Sequence, residues 1–190
     1  PRSTQSRSSA ASDVYKRQVY LYFESKETIL ACLLLEGLQT LTKRLEEAYA
    51  PDRTLPASER LRRLGWAYFQ FFQQQPLYFR FLMAVDGGRF RETVTPTVYQ
   101  EVLQASLEGL SWVVRAIEQG IQAGDFDCCD AHQAAAAFWA VLNGVLDLMS
   151  HPLRRDMVGV SLEVLYRVAI ETVIRGLRRE PAASADESIH

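Results

Sequence analysis

The chain has 190 residues, 48% of them hydrophobic and 23% charged, with a formal net charge of −2. That apolar fraction is ordinary for a globular protein and excludes general disorder, and the charge balance carries no global basic signature for nucleic acid. No apolar run approaches the roughly 20 residues of a membrane-spanning helix, and the N-terminus lacks the apolar core of a signal peptide. Cys32, Cys128 and Cys129 match neither a disulfide scaffold nor a zinc spacing, so a cytoplasmic, reducing setting is expected, with no metal and no cofactor.

The first 18 residues, PRSTQSRSSAASDVYKRQ, contain no leucine, isoleucine or phenylalanine and give way abruptly to dense apolar patterning at Val19. Residues Ser8 to Gln18 resemble a translated sequencing-library adaptor. Asp13 to Gln18 back-translates to GAT GTG TAT AAG AGA CAG, the mosaic end of a transposase. Residues 1–18 are therefore set apart from fold and function reasoning, as a non-native segment. Without their Arg2, Arg7, Lys16, Arg17 and Asp13, the net charge of the remainder falls from −2 to −5.

From Val19 the pattern is helical almost throughout, which predicts an all-α fold. A short helical end, 19–23, runs into Ser25, a natural N-cap, with Glu27 complementing the dipole of the helix that follows. That helix is predicted over about 26–50, with Ile29, Leu30, Leu33, Leu34, Leu38, Leu41 and Leu45 at helical spacing and Pro51 and Pro56 bracketing its end. A second spans about 57–75, with Leu61, Leu64, Tyr68 and Phe72 on one stripe and Trp66, Phe69 and Phe71 off it, so more than one of its faces is buried. A third covers about 77–85, ahead of Gly87-Gly88. A long helix follows over about 96–123, with Gly124 as its C-cap. Asp130 is expected to cap a helix over 131–150 that His151-Pro152 stops. The last helix spans about 160–178, and the polar tail 180–190 is expected to be disordered.

The string Val19-Tyr20-Leu21-Tyr22-Phe23-Glu24-Ser25-Lys26-Glu27-Thr28-Ile29-Leu30 resembles the end of the helix-turn-helix DNA-binding module of the TetR family of transcriptional regulators. In that family the recognition helix closes on an apolar-Tyr-x-[Tyr/His]-Phe pattern, and a short turn leads into [Ser/Asn/Asp]-Lys-[Glu/Asp]-x-apolar-Leu. The segment 121–126, followed by an Asp-capped, alanine-rich helix with Gly144, is similar to the family's seventh-to-eighth helix junction. The resemblance implies a remnant of the DNA-binding module over 19–30 and a ligand-binding and dimerisation domain over 31–179. It also implies that the first two helices and the base-reading front of the third precede Val19 in the intact gene product.

Lys26 lies in the first turn of a helix, where the dipole disfavours a cation, so a phosphate beside free amides is a sound partner for it. The resemblance assigns Tyr20, Tyr22 and Lys26 to the backbone of operator DNA. At net −5 the remainder lacks the electrostatic footprint of non-specific DNA affinity, so operator binding is expected of the intact protein only.

Eight of the 20 aromatics fall within the sixteen residues 66–81. Rigid aromatic side chains are common walls for apolar ligands. A hydrophobic or aromatic small-molecule effector is accordingly expected among Trp66, Phe69, Tyr78, Met83 and Trp112. In the last two long helices Phe138, Leu142, Val145, Met149, Leu165, Ala169 and Val173 supply more apolar surface than two helices ordinarily bury, and the resemblance implies that they build a homodimeric four-helix bundle. No Ser/His/Asp set, phosphate loop or carboxylate pair can be assembled, so no enzymatic activity is expected. The sequence thus reads as a ligand-responsive transcriptional regulator, a repressor, with an all-helical ligand-binding or scaffold protein without a DNA role as the alternative.

Overall fold

The computed structural model describes residues 26–49, 55–85, 90–127 and 130–178. Every regular element among them is an α-helix: α1 (Lys26–Tyr49), α2 (Ala57–Gln74), α3 (Pro76–Val85), α4 (Phe90–Thr93), α5 (Pro96–Gln122), α6 (Ala131–Ser150), α7 (Pro152–Val158) and α8 (Leu162–Leu177). One isolated antiparallel bridge pairs Phe126 with Arg178. The adaptor-like segment 1–18, Tyr20, Tyr22 and the tail 180–190 lie outside the described residues.

Local chemistry accounts for the helix ends. Asp130 caps α6, its Oδ1 accepting from the backbone N–H of Gln133 at 2.9 Å. Gly124 stands at φ 77°, a left-handed conformation that glycine adopts at no steric cost, and turns the chain out of α5. His151-Pro152 stops α6 at Ser150, as expected, and Pro152 also opens the short α7, which the sequence reading did not include; its missing N–H is an orphan there in any case. Gly159 closes α7 at φ 68°, and the Ser161 hydroxyl accepts from Val164 N at 3.3 Å to start α8.

The span 31–179, read as one domain in the sequence, divides into two compact units. The first combines the described residues through Thr40 with those of Phe72–Ser106. Its core joins Ala31, Leu34 and Leu38 of α1 to Phe90 of α4 and Val102 of α5. Within it Gly37 lets α3 approach α1 closely, since a β-carbon there would lie 2.9 Å from Tyr78 Cγ.

The second unit combines Leu41–Phe71 with the residues from Leu107 onward. It buries Leu61 and Leu64 of α2, Ile117 of α5, Phe138 and Leu146 of α6, and Tyr166 and Ile174 of α8. A β-carbon on Gly65 would meet Ile170 Cδ1 at 2.8 Å, so the side chain of Ile170 on α8 packs directly on the α2 backbone. Arg60 is buried at the start of α2; its Nη1 donates to Tyr49 O at 2.7 Å and its guanidinium lies over the Tyr49 ring. The cation thereby satisfies an orphan carbonyl at the negative end of α1.

Candidate functional site

In the second unit α2 carries a run of aromatics that α8 completes. Trp66 stacks on Phe69 with centroids 4.8 Å apart, and Phe69 meets Tyr166 of α8 at 4.8 Å. The Tyr166 hydroxyl donates to the carbonyl of Gly65 at 3.2 Å. Burial, with the neighbouring Tyr68, pushes this phenol far above its ordinary range, so it stays neutral in the folded chain. Tyr68 in turn donates to Asn143 Oδ1 of α6 at 2.7 Å.

Outside this aromatic layer lies a groove of about 600 Å³, lined by the end of α1, the face of α2 that carries Trp66, and α8. Its volume falls within the usual range for small-molecule sites. Ala48, Ala67, Ile170 and Trp66 supply apolar lining, and Arg62, Arg63, Arg167, Glu47, Glu59 and Glu171 supply charge.

The charges are not equivalent. Arg62 grips Glu171 through Nε and Nη2, at 2.5 and 3.0 Å, and reaches Glu59 through Nη1 at 3.3 Å. This two-point pair ties α2 to α8. The bonds from Arg62 hold the Glu171 carboxyl below the ordinary carboxylate range, with Arg178 and Arg175 adding to the effect, and Glu171 raises Arg62 correspondingly. Arg63 meets Glu59 at 3.7 Å, and Arg167 meets Glu163 at 2.9 Å while lying 5.0 Å over the Trp66 ring. Both are pairs within one helix.

Solved structures share this architecture. A TetR-family regulator, PfmR from Thermus thermophilus, matches with TM-score 0.67 at 22% identity, covering 86% of this chain and 83% of its own. A regulatory protein of the tetR family from Rhodococcus RHA1 matches with TM-score 0.69 at 21% identity, over 86% and 80%. The transcriptional regulator FadR from Bacillus subtilis, solved in complex with stearoyl-CoA, matches with TM-score 0.63 at 20% identity, over 85% and 81%. The chain has the fold of TetR-family regulators. No protein-family model and no curated protein matches the sequence.

On this TetR fold the residues expected around an effector are not all brought together. Trp66 lines the groove and Phe69 is buried beneath it. Trp112 belongs to the same unit but sits with Tyr49, centroids 5.2 Å apart, under the guanidinium of Arg115. Its buried Nε1 has no hydrogen-bond partner among the described residues. Tyr78 is in the other unit, against Gly37 and bonded to Glu36, which raises its phenol above the ordinary value. Met83 falls in α3, with its side chain outside the described set, and Lys26 is the first described residue of α1, likewise without a described side chain.

The residues expected at a dimer contact differ in how far the single chain covers them. Phe138, Leu142, Met149 and Ala169 are buried by the chain itself, and Val145, Leu165 and Val173 are half-buried. The apolar side chains with surface to offer are their neighbours: Trp139 and Val141 on α6, Leu153 and Met157 on α7, Val164 and Val168 on α8. Arg62, Arg167 and Glu171 escaped the sequence reading, because Arg62 and Glu171 stand 109 positions apart. The pairs of Glu59 with Arg63 and of Glu163 with Arg167, each at i and i+4, do leave a local signal. Among the described residues no helix is long and apolar enough to cross a membrane, and no group of His, Cys, Asp and Glu could hold a metal ion.

Proposed function

We propose that this chain is the ligand-binding and dimerising part of a TetR-type transcriptional repressor, cytoplasmic and homodimeric. The observation that carries the reading is the fold, which TetR-family regulators share. The Tyr-Leu-Tyr-Phe-Glu-Ser-Lys-Glu string, which resembles the end of that family's DNA-binding module, runs into the helix described from Lys26 onward.

In this reading Tyr20, Tyr22 and Lys26 touch the phosphate backbone of operator DNA, and the bases are read by a head of which residues 19–30 are the end. A hydrophobic or aromatic effector enters at the Trp66 groove. The exposed apolar rows of α6 and α8 meet those of a second copy in a four-helix contact. The effector acts by binding one arrangement of the dimer more tightly than the other, which shifts the population of DNA-competent heads. The complex of Bacillus subtilis FadR with stearoyl-CoA supports a fold able to admit an amphipathic ligand.

The test is a gel-shift titration at physiological salt, using the gene product that includes the sequence upstream of Val19 and the DNA flanking its own gene. Retardation by that product, and none by the 190-residue chain, is the expected result. An upstream sequence without a helix-turn-helix, or an intact product that leaves the DNA unshifted, favours a helical ligand-binding or scaffold protein instead.

A further inference from the structure

We propose that the groove between α2 and α8 binds a small amphipathic anion: a flat or chain-like apolar body bearing one carboxylate- or sulfonate-type head. Arg63 and Arg167 take the head, and Ala48, Ala67, Ile170 and Trp66 face the body. The division of labour among the three arginines carries the argument. Arg62 is committed to Glu171 and Glu59 and holds α2 to α8. Among the described residues the ion pairs of Arg63 and Arg167 are with carboxylates of their own helices, Glu59 at 3.7 Å and Glu163 at 2.9 Å, in solvent-exposed i,i+4 geometry. Such pairs are weak and exchange readily for a better-placed anion. Glu59 keeps its bond to Arg62 Nη1 when Arg63 turns away, so recruiting Arg63 strands no carboxylate.

Arg167 is also pre-positioned by its place over Trp66, which lowers the ordering cost of presenting a guanidinium beside an apolar wall. Guanidinium groups favour carboxylate-like heads through paired, charge-assisted hydrogen bonds. Glu47, on the same groove, opposes an anion and sets its net affinity. The inference adds a head group to the effector class proposed above and rests on that reading only for its regulatory meaning. Its test contains no DNA, so the two can fail separately.

The test is a fluorescence titration of the full chain with anilinonaphthalene sulfonate, and with phenylnaphthylamine as its neutral counterpart. Saturable sulfonate binding is expected, weakened at least tenfold in the Arg63→Gln/Arg167→Gln double variant, with the neutral probe unaffected. Glu47→Gln is expected to tighten the sulfonate severalfold, and circular dichroism checks that each variant keeps its helix content. The proposal is overturned if the sulfonate binds the double variant as well as the parent, as it would on the exposed apolar rows. Equal weakening of both probes, or no response to Glu47→Gln, overturns it as well.

Discussion

Gly120 and Phe126 occupy each other's space. The carbonyl of Gly120 accepts from Phe126 N at 3.1 Å and from Asp125 N at 2.8 Å, and the Phe126 ring folds back over the glycine Cα. A β-carbon at position 120 would lie 2.6 Å from Phe126 Cε2 and 2.9 Å from Ala57 Cβ. The ring is buried, and the same segment pairs with the end of α8 through Asp127 N to Leu177 O at 2.9 Å. This small knot joins the end of α5 to the end of α8.

Gly120→Ala is therefore expected to destabilise the chain. Overpacking costs about 1–3 kcal/mol, against a helix-propensity gain of about 1 kcal/mol or less. Urea unfolding checks it through a lowered midpoint. Gly176→Ala serves as the control, because none of the described residues lies within 4 Å of a β-carbon there and propensity alone acts. Its midpoint is expected to hold or rise.

The Arg62–Glu171 pair makes stability sensitive to acid. Glu171 has a folded pKa below its unfolded value, so its contribution is complete above the ordinary carboxylate range near pH ~4.3 and is lost as pH falls through the depressed folded value. Both side chains are about one-third exposed, which limits the contribution to about 1 kcal/mol or less. Glu171→Gln should lower stability by that amount at pH ~7 and make no difference once both states are protonated, as urea curves at the two pH values would show.

Tyr166 sets the opposite limit. Its folded pKa is raised, so its contribution is complete below the unfolded phenol value near ~10 and declines as pH rises above it. Tyr166→Phe should cost about 0.5–1.5 kcal/mol at neutral pH through the lost bond to Gly65 O. Alkaline difference spectroscopy should find one tyrosine fewer that ionises only on unfolding. A variant that keeps this late-ionising group would assign it to another tyrosine.

Val168 and Val164, each about half exposed on α8, make self-association testable. A glutamate at a desolvated contact centre typically weakens binding by about 2 kcal/mol or more. Val168→Glu is thus expected to raise the dimer Kd by at least tenfold, read by sedimentation equilibrium. An unchanged association state would place the contact elsewhere.

Much of the helical layout was readable along the chain. Asp130 marked the start of α6 and Gly124 the end of α5, because capping is a contest among backbone groups a few positions apart. His151-Pro152 marked the end of α6 in the same way but did not reveal the start of α7. A proline both ends one helix and opens the next, and only the path taken by the following residues separates the two. The aromatic run on α2 was also visible, but not its division between the groove lining at Trp66 and the core at Phe69.

The sequence by itself determined that the chain is helical, where most helices begin and end, and which segment carries the TetR-like string. Tertiary structure alone decided which face each helix buries. On α6 and α8 both faces are apolar, so periodicity cannot distinguish Phe138 and Leu142, which turn inward, from Trp139 and Val141, which do not. It also created the groove. Arg62 and Glu171 become partners only when α2 and α8 pack together, with Ile170 against Gly65, a relationship between surfaces that no local window of sequence contains.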